Sequence, residues 1–477
     1  MADDDDDATR RPPLHAVLPP LVLGTATFNT QYVADPHSMP YRDIVARALS
    51  LGVNAFDTSP YYGPSEILLG DALDALMHPT PTPTPTGQTG SGAVPVPVPR
   101  SSFFLVTKAG RIGPSEFDYT PSWVRYSVLR SLRRLRTPYV DLVYMHDAEF
   151  VSPAEVLAAV RELRRLRDED GVVRYVGISG FPVPVLCDLA EMVLRETGEP
   201  LDAVLSYGNF TLQNRTLGLP WVLDVPAGKK KKKKKKGEEK EKEKEKEKEM
   251  VDGSSPLARF KKAGVDVVLN ASILGMGLLT SRGLPEAPPP PTVDEKGDNT
   301  PGTKVSLLAE WHPSPPGLRA ACRRLAEVSA AAGERLESVA IRWSMAEWAR
   351  VAAIAGLGVD VATPDVGPRR VGVTVCGVTT VKELEETVTE WRGVLSSLGR
   401  AASRDDEPYG LVRQEKILNL VRNKLWPELR SWLDYVWDSP GPGYVNTRAP
   451  ADRGVVPDDG IVAAFEKAKQ RRIIARL

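Results

Sequence analysis

Four side chains that can hold or move a proton follow three predicted strands. Asp57 ends the strand in NAFDTS, Tyr62 lies five residues later, Lys108 ends the strand in FFLVTKAG, and His146 follows the strand in DLVYM. A phenol can donate or accept a proton at a substrate oxygen, but an unperturbed tyrosine titrates at about 10. A neighbouring ammonium lowers that pKa. These residue types predict general acid–base catalysis, in which Lys108 lowers the pKa of Tyr62 and Asp57 holds the ammonium in place.

The segment that contains Tyr62 also carries a family pattern. Residues 56–66 read F-D-T-S-P-Y-Y-G-P-S-E, which resembles the F-D-T-x-x-x-Y-G-x-S-E signature of the aldo-keto reductases. The pieces VTK, ending at Lys108, and YMHD, containing His146, follow in the order of that family. The resemblance implies a catalytic tetrad of Asp57, Tyr62, Lys108 and His146. It also implies hydride transfer between a substrate carbon and a nicotinamide, with Tyr62 transferring the proton and His146 orienting the substrate oxygen.

Each member of the tetrad also has a purely structural interpretation. An aspartate at a strand end often caps the next helix, a lysine after a strand is often solvated, and a lone histidine is more often a core residue than a catalyst. The ordered combination, with the residues at separate strand ends, favours the catalytic interpretation. Tyr61 competes with Tyr62 for the central role, and the five-residue spacing from Asp57, with Gly63 next, selects Tyr62. Tyr61 is then expected to shape the pocket.

Two segments resemble the family's strands that hold the nicotinamide and the pyrophosphate. GISGFP at 177–182 keeps the serine of the family's G-V-S-N, which implies that Ser179 holds the carboxamide, while Gly180 replaces the asparagine. NASILGMGLLT at 270–280 resembles the seventh strand and its loop, where small residues permit close approach of the backbone to the pyrophosphate. Ala271 stands where a tyrosine that stacks on the nicotinamide is common. The cofactor residues implied in this segment are Ser272, Leu274 and Gly277.

VCGVTTVKELEET at 375–387 resembles the last strand and helix, which bind the adenosine end of the cofactor. Its expected cofactor contacts are Gly377, Thr379, Glu383 and Glu386. NADPH-preferring members place a lysine and an arginine where this chain has Gly377 and Glu383. A carboxylate repels a phosphate and accepts hydrogen bonds from a ribose hydroxyl, so the pattern predicts a preference for NAD. Lys382 keeps NADP possible, and an ordinary solvated helix residue is the alternative interpretation of Glu383.

Short apolar runs alternate with longer helical patterns eight times along the chain. This alternation indicates parallel strands joined by helical crossovers, and eight units are the number that closes a barrel. The alternative, an open doubly wound sheet, would be expected to carry a GxGxxG after its first strand, and this chain has none there. The predicted fold is therefore an α/β protein with a (β/α)8 TIM barrel. Its expected strands lie in LVLGTATF, NAFDTS, FFLVTKAG, DLVYMHDA, YVGISG, AVLSYGNF, DVVLNAS and VTVCGVT.

Stretches of unusual composition flank or interrupt the barrel pattern. Residues 1–17 are expected to form a disordered acidic N-terminus, residues 18–398 the barrel, and residues 399–477 a helical C-terminal extension and tail. Long low-complexity surface insertions are expected within the barrel. Their ranges are 79–99, 222–255, 284–304 and 357–370.

Two of these regions raise functional questions of their own. The lysine run and Glu–Lys alternation at 229–249 could tether nucleic acid or an anionic membrane. A tolerated surface insertion is favoured, because its acidic half neutralises much of the basic half. In the extension, Trp426, Trp432 and Trp437 either fold over the barrel mouth or belong to a helix packed on the barrel exterior.

Composition limits the partners and the compartment. The formal net charge is zero, which gives no general reason to expect a nucleic-acid partner. Cys187, Cys322 and Cys376 lie far apart with no CxxC pair, so no metal site is predicted. The acidic opening MADDDDDATRR does not read as a secretory signal, and no uncharged run approaches the length that spans a bilayer. A cytoplasmic protein with no membrane partner is expected.

The finer resemblance is to the family branch that contains D-arabinose 1-dehydrogenases and L-galactose dehydrogenases. It is carried by GISGFP, SYGNFTLQNRTL and NASILGMGLLT. It implies oxidation of an aldose at its anomeric carbon to the lactone, with D-arabinose, L-galactose or a similar sugar as the small-molecule substrate. The alternatives are an NADPH-dependent reductase of aldehydes or ketones, and a regulatory cofactor-binding barrel resembling the potassium-channel β subunits. The residues leave open the sugar, the physiological direction and the oligomeric state.

Overall fold

Eight parallel strands close into a barrel, which confirms the predicted (β/α)8 fold. The computed structural model describes residues 11–79, 96–220, 254–284, 308, 312–363, 367–399 and 409–474. The strands are β1 (Leu21–Gly24), β2 (Ala55–Asp57), β3 (Phe104–Ala109), β4 (Val140–Met145), β5 (Val173–Gly180), β6 (Ala203–Tyr207), β7 (Val267–Ala271), β8 (Val359–Thr363), β9 (Gly367–Val371) and β10 (Val373–Gly377). Around the barrel the order is β1-β10-β7-β6-β5-β4-β3-β2. Each of the eight predicted strand segments contributes one barrel strand.

Helices follow the strands and cover the outside of the barrel. Their apolar faces turn inwards, as in the first of them, where Ile44, Val45 and Ala48 are buried. The helices are α1 (Tyr41–Ser50), α2 (Ser65–Met77), α3 (Pro121–Arg134), α4 (Pro153–Asp168), α5 (Val183–Thr197), α6 (Pro256–Lys262), α7 (Pro316–Ala331), α8 (Leu336–Ile354), α9 (Val381–Gly399), α10 (Tyr409–Leu420), α11 (Trp426–Leu429) and α12 (Ile461–Ile474).

Strands covered in this way are buried on both faces, so polar side chains at their ends enter a protein interior. Every residue of β3 and β4 is buried. Lys108, near the end of β3, is only 2% exposed. A charged side chain in such a place needs a partner of opposite charge. The fold therefore provides a dry setting for the predicted catalytic residues.

The boundaries of the barrel differ from the sequence prediction at two places. The folded part begins before residue 18, because Leu14 is buried in a short 3-10 helix and His15 binds Asp266 through a 2.6 Å contact between Nδ1 and Oδ1. The predicted insertion 357–370 contains most of an antiparallel hairpin, β8 with β9. The greater part of the other three insertions lies outside the described residues.

The C-terminal extension first packs on the barrel exterior and then crosses its mouth. In α10, Gln414 accepts a 2.7 Å hydrogen bond from Arg342 of α8. Trp426 packs edge-on against Trp343 of α8, with ring centroids 5.8 Å apart. The chain then turns over the strand ends, where Trp437 reaches the loop after β5. The two alternatives drawn from the sequence thus each describe part of this segment.

None of the helices within the described ranges is both long and apolar enough to cross a membrane.

Candidate active site

The strand register brings three of the four predicted catalytic residues to the barrel interior. Asp57 pairs with Val106 of β3, and Lys108 pairs with Tyr144 of β4. Residues paired between parallel strands face the same side, and so do residues two apart along one strand. Asp57, Lys108 and His146 therefore lie on the inner face. Each of them is two residues closer to the carboxyl ends of the strands than the one before it.

The turn between β2 and α2 places Tyr62 over these residues. Gly63 has the left-handed φ of 56°, and a Cβ at this position would come within 3.3 Å of the Asn29 amide oxygen. The hydroxyl of Ser65 donates to the Thr25 carbonyl at 2.8 Å, which ties the start of α2 to the end of β1. Residues of the motif other than Tyr62 thus serve to fix the turn.

Lys108 links the members of the site. Its Nζ lies 2.5 Å from Asp57 Oδ1 and donates to the Thr58 carbonyl at 3.0 Å. The same nitrogen is 4.8 Å from the centre of the Tyr62 ring. Asp57 Oδ2 is buried and has no hydrogen-bond partner among the described residues. The predicted contact between Asp57 and Lys108 is present, and Tyr62 lies beside it.

The pKa of Tyr62 does not move in the direction expected from the sequence. Burial raises it well above 10, and the negative charges of Asp57 and Asp147 raise it further. Lys108 was expected to lower it, but its ammonium is bound to Asp57, which cancels much of its effect at the phenol. The raised pKa favours the neutral phenol form of Tyr62.

His146 stands perpendicular to Tyr62. The two ring centroids are 5.5 Å apart and the rings make an angle of 90°. Its Nδ1 lies 3.0 Å from Ser59 Oγ, and its Nε2 lies 3.8 Å from Asp147 Oδ2. Burial lowers the pKa of His146 well below 6.5, and the cations Lys108 and Arg111 lower it further. The ring is therefore neutral and can act as a hydrogen-bond donor from one nitrogen only.

A buried ion pair that the sequence reading missed lies next to this ring. Arg111, from the loop after β3, binds the carboxylate of Asp147. Its Nη2 donates to the Tyr61 hydroxyl at 3.2 Å, and the guanidinium lies 3.9 Å from the centre of the Tyr61 ring. Asp147 directly follows His146 and has a left-handed φ of 55°. In the sequence, Asp147 could have been noticed because it directly follows the predicted catalytic histidine. Nothing in the sequence around Arg111 indicates a role at the site.

The predicted nicotinamide end contains an aromatic residue from an unexpected strand. Ser179 is buried, and its hydroxyl lies 3.3 Å from the Met145 carbonyl oxygen, one residue before His146. Tyr207 of β6 pairs in register with Ala271 of β7, so the two side chains face the same side. An aromatic surface is thus present beside the position where the sequence lacks the family's stacking tyrosine.

The loop after β7 folds back on itself through residues with left-handed backbone angles. Ser272, Gly275, Met276 and Gly277 all have left-handed φ angles, of 56°, 55°, 52° and 99°. Of the predicted residues, Ser272, Leu274 and Gly277 lie in this loop, half-buried. The N–H groups of Gly275, Gly277 and Leu278 donate to carbonyls within the loop, and the expected role of the loop in pyrophosphate binding stays a prediction.

At the predicted adenosine end, the carboxylates already have protein partners. Gly377 ends β10 and is exposed. Glu383 Oε2 accepts hydrogen bonds from the backbone N–H and the hydroxyl of Thr379, at 2.7 and 2.9 Å. Glu386 Oε2 lies 2.6 Å from Arg335 Nη2. Neither of the two interpretations of Glu383 included this contact, and Arg335 was not recognised from the sequence.

The two predicted dinucleotide segments are joined by a chain of contacts. Ser281, beyond the loop after β7, donates from its hydroxyl to Glu337 at 2.6 Å. Arg335 lies 3.6 Å from Glu337 and also binds Glu386 of α9. Ala271 and Val375 are register partners on β7 and β10. The structure thus places both segments on one side of the barrel mouth.

A closed parallel barrel with this arrangement at its mouth defines an oxidoreductase of the aldo/keto reductase family, and the chain belongs to that family, which it matches over residues 20–217 and 247–397. Enzymes of the family use nicotinamide cofactors, generally NADP.

Two characterised relatives extend the comparison. The chain is 33% identical to D-arabinose 1-dehydrogenase of Saccharomyces cerevisiae over 413 residues, which cover 86% of this chain and 94% of the relative. It is 28% identical to L-galactose dehydrogenase of Arabidopsis thaliana over 386 residues, which cover 80% and 85% of the two chains. The solved structure of a glycerol dehydrogenase from Gluconobacter oxydans matches 91% of this chain and 98% of its own, with 19% identity and a TM-score of 0.46.

Proposed function

We propose that this protein oxidises an aldose at its anomeric carbon to the lactone, with hydride transfer to a nicotinamide cofactor. The observation that best supports this proposal is a cluster in which a phenol lies beside a buried ion pair and a neutral imidazole. The cluster consists of Tyr62, Lys108, Asp57 and His146. The names of the two relatives, each a sugar dehydrogenase, support the substrate class.

Proton transfer at the substrate oxygen is the task of this chain's own residues. When a bound aldose is oxidised, the C1–H bond breaks with its electron pair, and the proton of the C1 hydroxyl passes to the Tyr62 oxygen. The nicotinamide cofactor, when bound, supplies the hydride acceptor. Because one phenol serves both directions, Tyr62 must lose its proton before it can act as the base in oxidation. His146 holds the reacting oxygen by a hydrogen bond.

The surroundings of His146 favour a substrate with several hydroxyl groups. Asp147 and Arg111 form a buried ion pair whose carboxylate is 3.8 Å from His146 Nε2. Charged groups of this kind form strong hydrogen bonds with the hydroxyls of a sugar that reaches them. We therefore propose that Arg111 and Asp147 bind the hydroxyls next to C1.

NAD is the proposed preferred acceptor, with NADP as the alternative. Arg335 and Lys382 are cations at the predicted adenosine end, and both lie against the carboxylate of Glu386. Glu383 adds a second carboxylate nearby. We expect Glu386→Gln to remove the nearer of the two carboxylates that contact Arg335, and to raise the ratio of NADP to NAD specificity several-fold. Glu385→Gln is the matched control, because Glu385 binds Arg47 instead. An unchanged ratio in both variants would mean that Arg335 does not influence the preference for NAD or NADP.

A second candidate is the reduction of aldehydes or ketones by the same site. The raised pKa of Tyr62 favours it, because a neutral phenol is the form that donates a proton to a carbonyl. The two functions share every residue of the tetrad, so only substrate preference and direction separate them.

The test is a substrate panel with purified protein. Formation of reduced cofactor from D-arabinose, L-galactose and other aldoses is compared with consumption of reduced cofactor by simple aldehydes, using NAD and NADP in each direction. Efficient turnover of aldoses supports the proposal. Turnover confined to aldehydes with NADPH would replace it by the second candidate.

A further inference from the structure

Ser59 contacts Nδ1 of His146, whereas the other ring nitrogen, Nε2, faces Asp147. It lies in the turn after β2, is fully buried, and has its Oγ 3.0 Å from His146 Nδ1. The same oxygen accepts a hydrogen bond from the backbone N–H of Tyr61 at 3.1 Å. Ser59 has no place in the family signature, because it occupies one of the variable positions of F-D-T-x-x-x-Y-G-x-S-E.

The hydrogen bonds around Ser59 indicate whether Ser59 or His146 is the donor in this contact. A hydroxyl has one hydrogen to donate, and within the described parts of the chain His146 Nδ1 is the only acceptor in reach of Ser59 Oγ. If Nδ1 carried the hydrogen, Ser59 would accept two hydrogen bonds and its own buried hydrogen would have no partner. Leaving a buried donor unsatisfied is strongly unfavourable. The contact therefore favours donation from Ser59 to Nδ1.

We propose that Ser59 is a positioning residue that holds His146 in the tautomer with its hydrogen on Nε2. In that tautomer the imidazole presents an N–H to the substrate oxygen beside Tyr62. In the other it would present a lone pair to an oxygen that also carries lone pairs, and it could not hold a carbonyl oxygen. The role rests on the proposed function, since it concerns the same substrate oxygen.

Three further contacts of His146 agree with this assignment. Asp147 Oδ2, 3.8 Å from Nε2, is a negative charge that attracts a hydrogen on Nε2. The backbone of His146 is held at both ends, because its N–H donates to Ala109 and its carbonyl accepts from the Tyr119 hydroxyl at 2.7 Å. The rings of Tyr61 and Tyr62 lie at steep angles to the imidazole, with centroids 5.8 and 5.5 Å away, and restrict its turning. The tautomer is then set by what each nitrogen faces.

The tautomer can be observed without turnover. In protein labelled with ¹⁵N-histidine, the two-bond ¹H–¹⁵N correlations of an imidazole distinguish Nδ1–H, Nε2–H and doubly protonated rings. Five histidines are present, and the His146→Gln variant identifies the signal of His146 by its disappearance. We expect the wild-type ring to be neutral with its hydrogen on Nε2. A hydrogen on Nδ1 in the wild-type protein would overturn the proposal.

Variants at position 59 test whether the serine is the cause. Ser59→Ala is expected to give a mixture of tautomers and a kcat lower by about 2- to 10-fold, the range for one net hydrogen bond, with little change in cofactor Kd. Ser59→Thr keeps the hydroxyl and should restore both the spectrum and kcat. A Ser59→Ala spectrum and kcat identical to wild type would overturn the role of Ser59. If no aldose is turned over but the spectra behave as expected, the proposed function fails and the assignment of the tautomer stands.

Discussion

Lys108 binds Asp57 through a 2.5 Å contact between Nζ and Oδ1, deep in the mouth of the barrel. The pair is almost completely buried, with the two side chains 2% and 6% exposed. Asp57 thus compensates the charge that was expected to act on Tyr62, and the phenol keeps its proton. Much of the chemistry expected of the site depends on this pairing.

Removing the ammonium should destabilise the whole protein as well as impair the site. In Lys108→Met the Asp57 carboxylate would be left buried without its charge partner, which typically costs about 3–5 kcal/mol in the free energy of unfolding. Urea unfolding measures this loss. Lys416→Met is the matched control, because Lys416 is 55% exposed and its partner Glu334 keeps an ion pair with Arg413, so a loss of about 0–1 kcal/mol is expected. Equal losses in the two variants would contradict the importance of the buried pair.

The raised pKa of Tyr62 predicts opposite pH profiles for the two directions. Oxidation needs the phenolate, so its kcat/KM should rise with pH through the alkaline range up to the raised pKa. Reduction needs the phenol and should hold steady over the same range. Initial rates in both directions, measured from neutral to alkaline pH, check this. An oxidation rate that levels off near neutral pH would show that Tyr62 ionises more easily than its surroundings imply.

Glu149, which lies under the C-terminal segment, should make stability depend on pH. Burial, reinforced by Asp147, raises its pKa from 4.5 to about 8. Between these values the folded protein keeps a proton that the unfolded chain has released, so stability falls as pH rises from 4.5 towards 8. Glu149→Gln should flatten that fall, as measured by unfolding at several pH values. The exposed Glu327→Gln should leave it unchanged, and a fall that persists in Glu149→Gln would rule this residue out as its source.

The segment that crosses the mouth should affect substrate binding through Trp437. This side chain stacks on Phe181, with centroids 4.7 Å apart and planes 8° from parallel. An aromatic pair of this kind contributes about 0.5–1.5 kcal/mol beyond its buried area. We therefore expect Trp437→Ala to raise KM for the sugar by about 2- to 10-fold. Val445→Ala, in the same segment but 73% exposed, should have no effect. An unchanged KM in Trp437→Ala would mean that the segment does not shape the substrate site.

The barrel could be predicted because each of its strands and helices is recognisable from a short stretch of sequence. Each strand is a short apolar run followed by a helical pattern, and the count of eight leads to closure without any knowledge of contacts. The hairpin of β8 and β9 is different, because β9 begins with glycine and proline and, among the described residues, the two short strands pair only with each other. It was therefore interpreted as an insertion.

The members of the site could be predicted from order and spacing, but their electrostatics could not. Spacing selects Tyr62 and Lys108, yet the direction in which the pKa of Tyr62 moves depends on distances to Asp57 and Asp147. Likewise, the pairing of Tyr207 with Ala271 requires the strand register. The contacts of Ser59, Arg111 and Arg335 join segments far apart in the chain, and their residue types alone do not indicate them.

The fate of the hydrogen at C1 tests the central claim most directly. D-Arabinose and L-galactose deuterated at C1 are incubated with oxidised cofactor and with wild type, Tyr62→Phe or the neighbouring control Tyr61→Phe. We expect wild type and Tyr61→Phe to transfer deuterium to the nicotinamide, and Tyr62→Phe to do so about 10²- to 10⁴-fold more slowly, the usual contribution of a general acid or base. Reduced cofactor without deuterium, or equal rates in Tyr62→Phe and wild type, would contradict it.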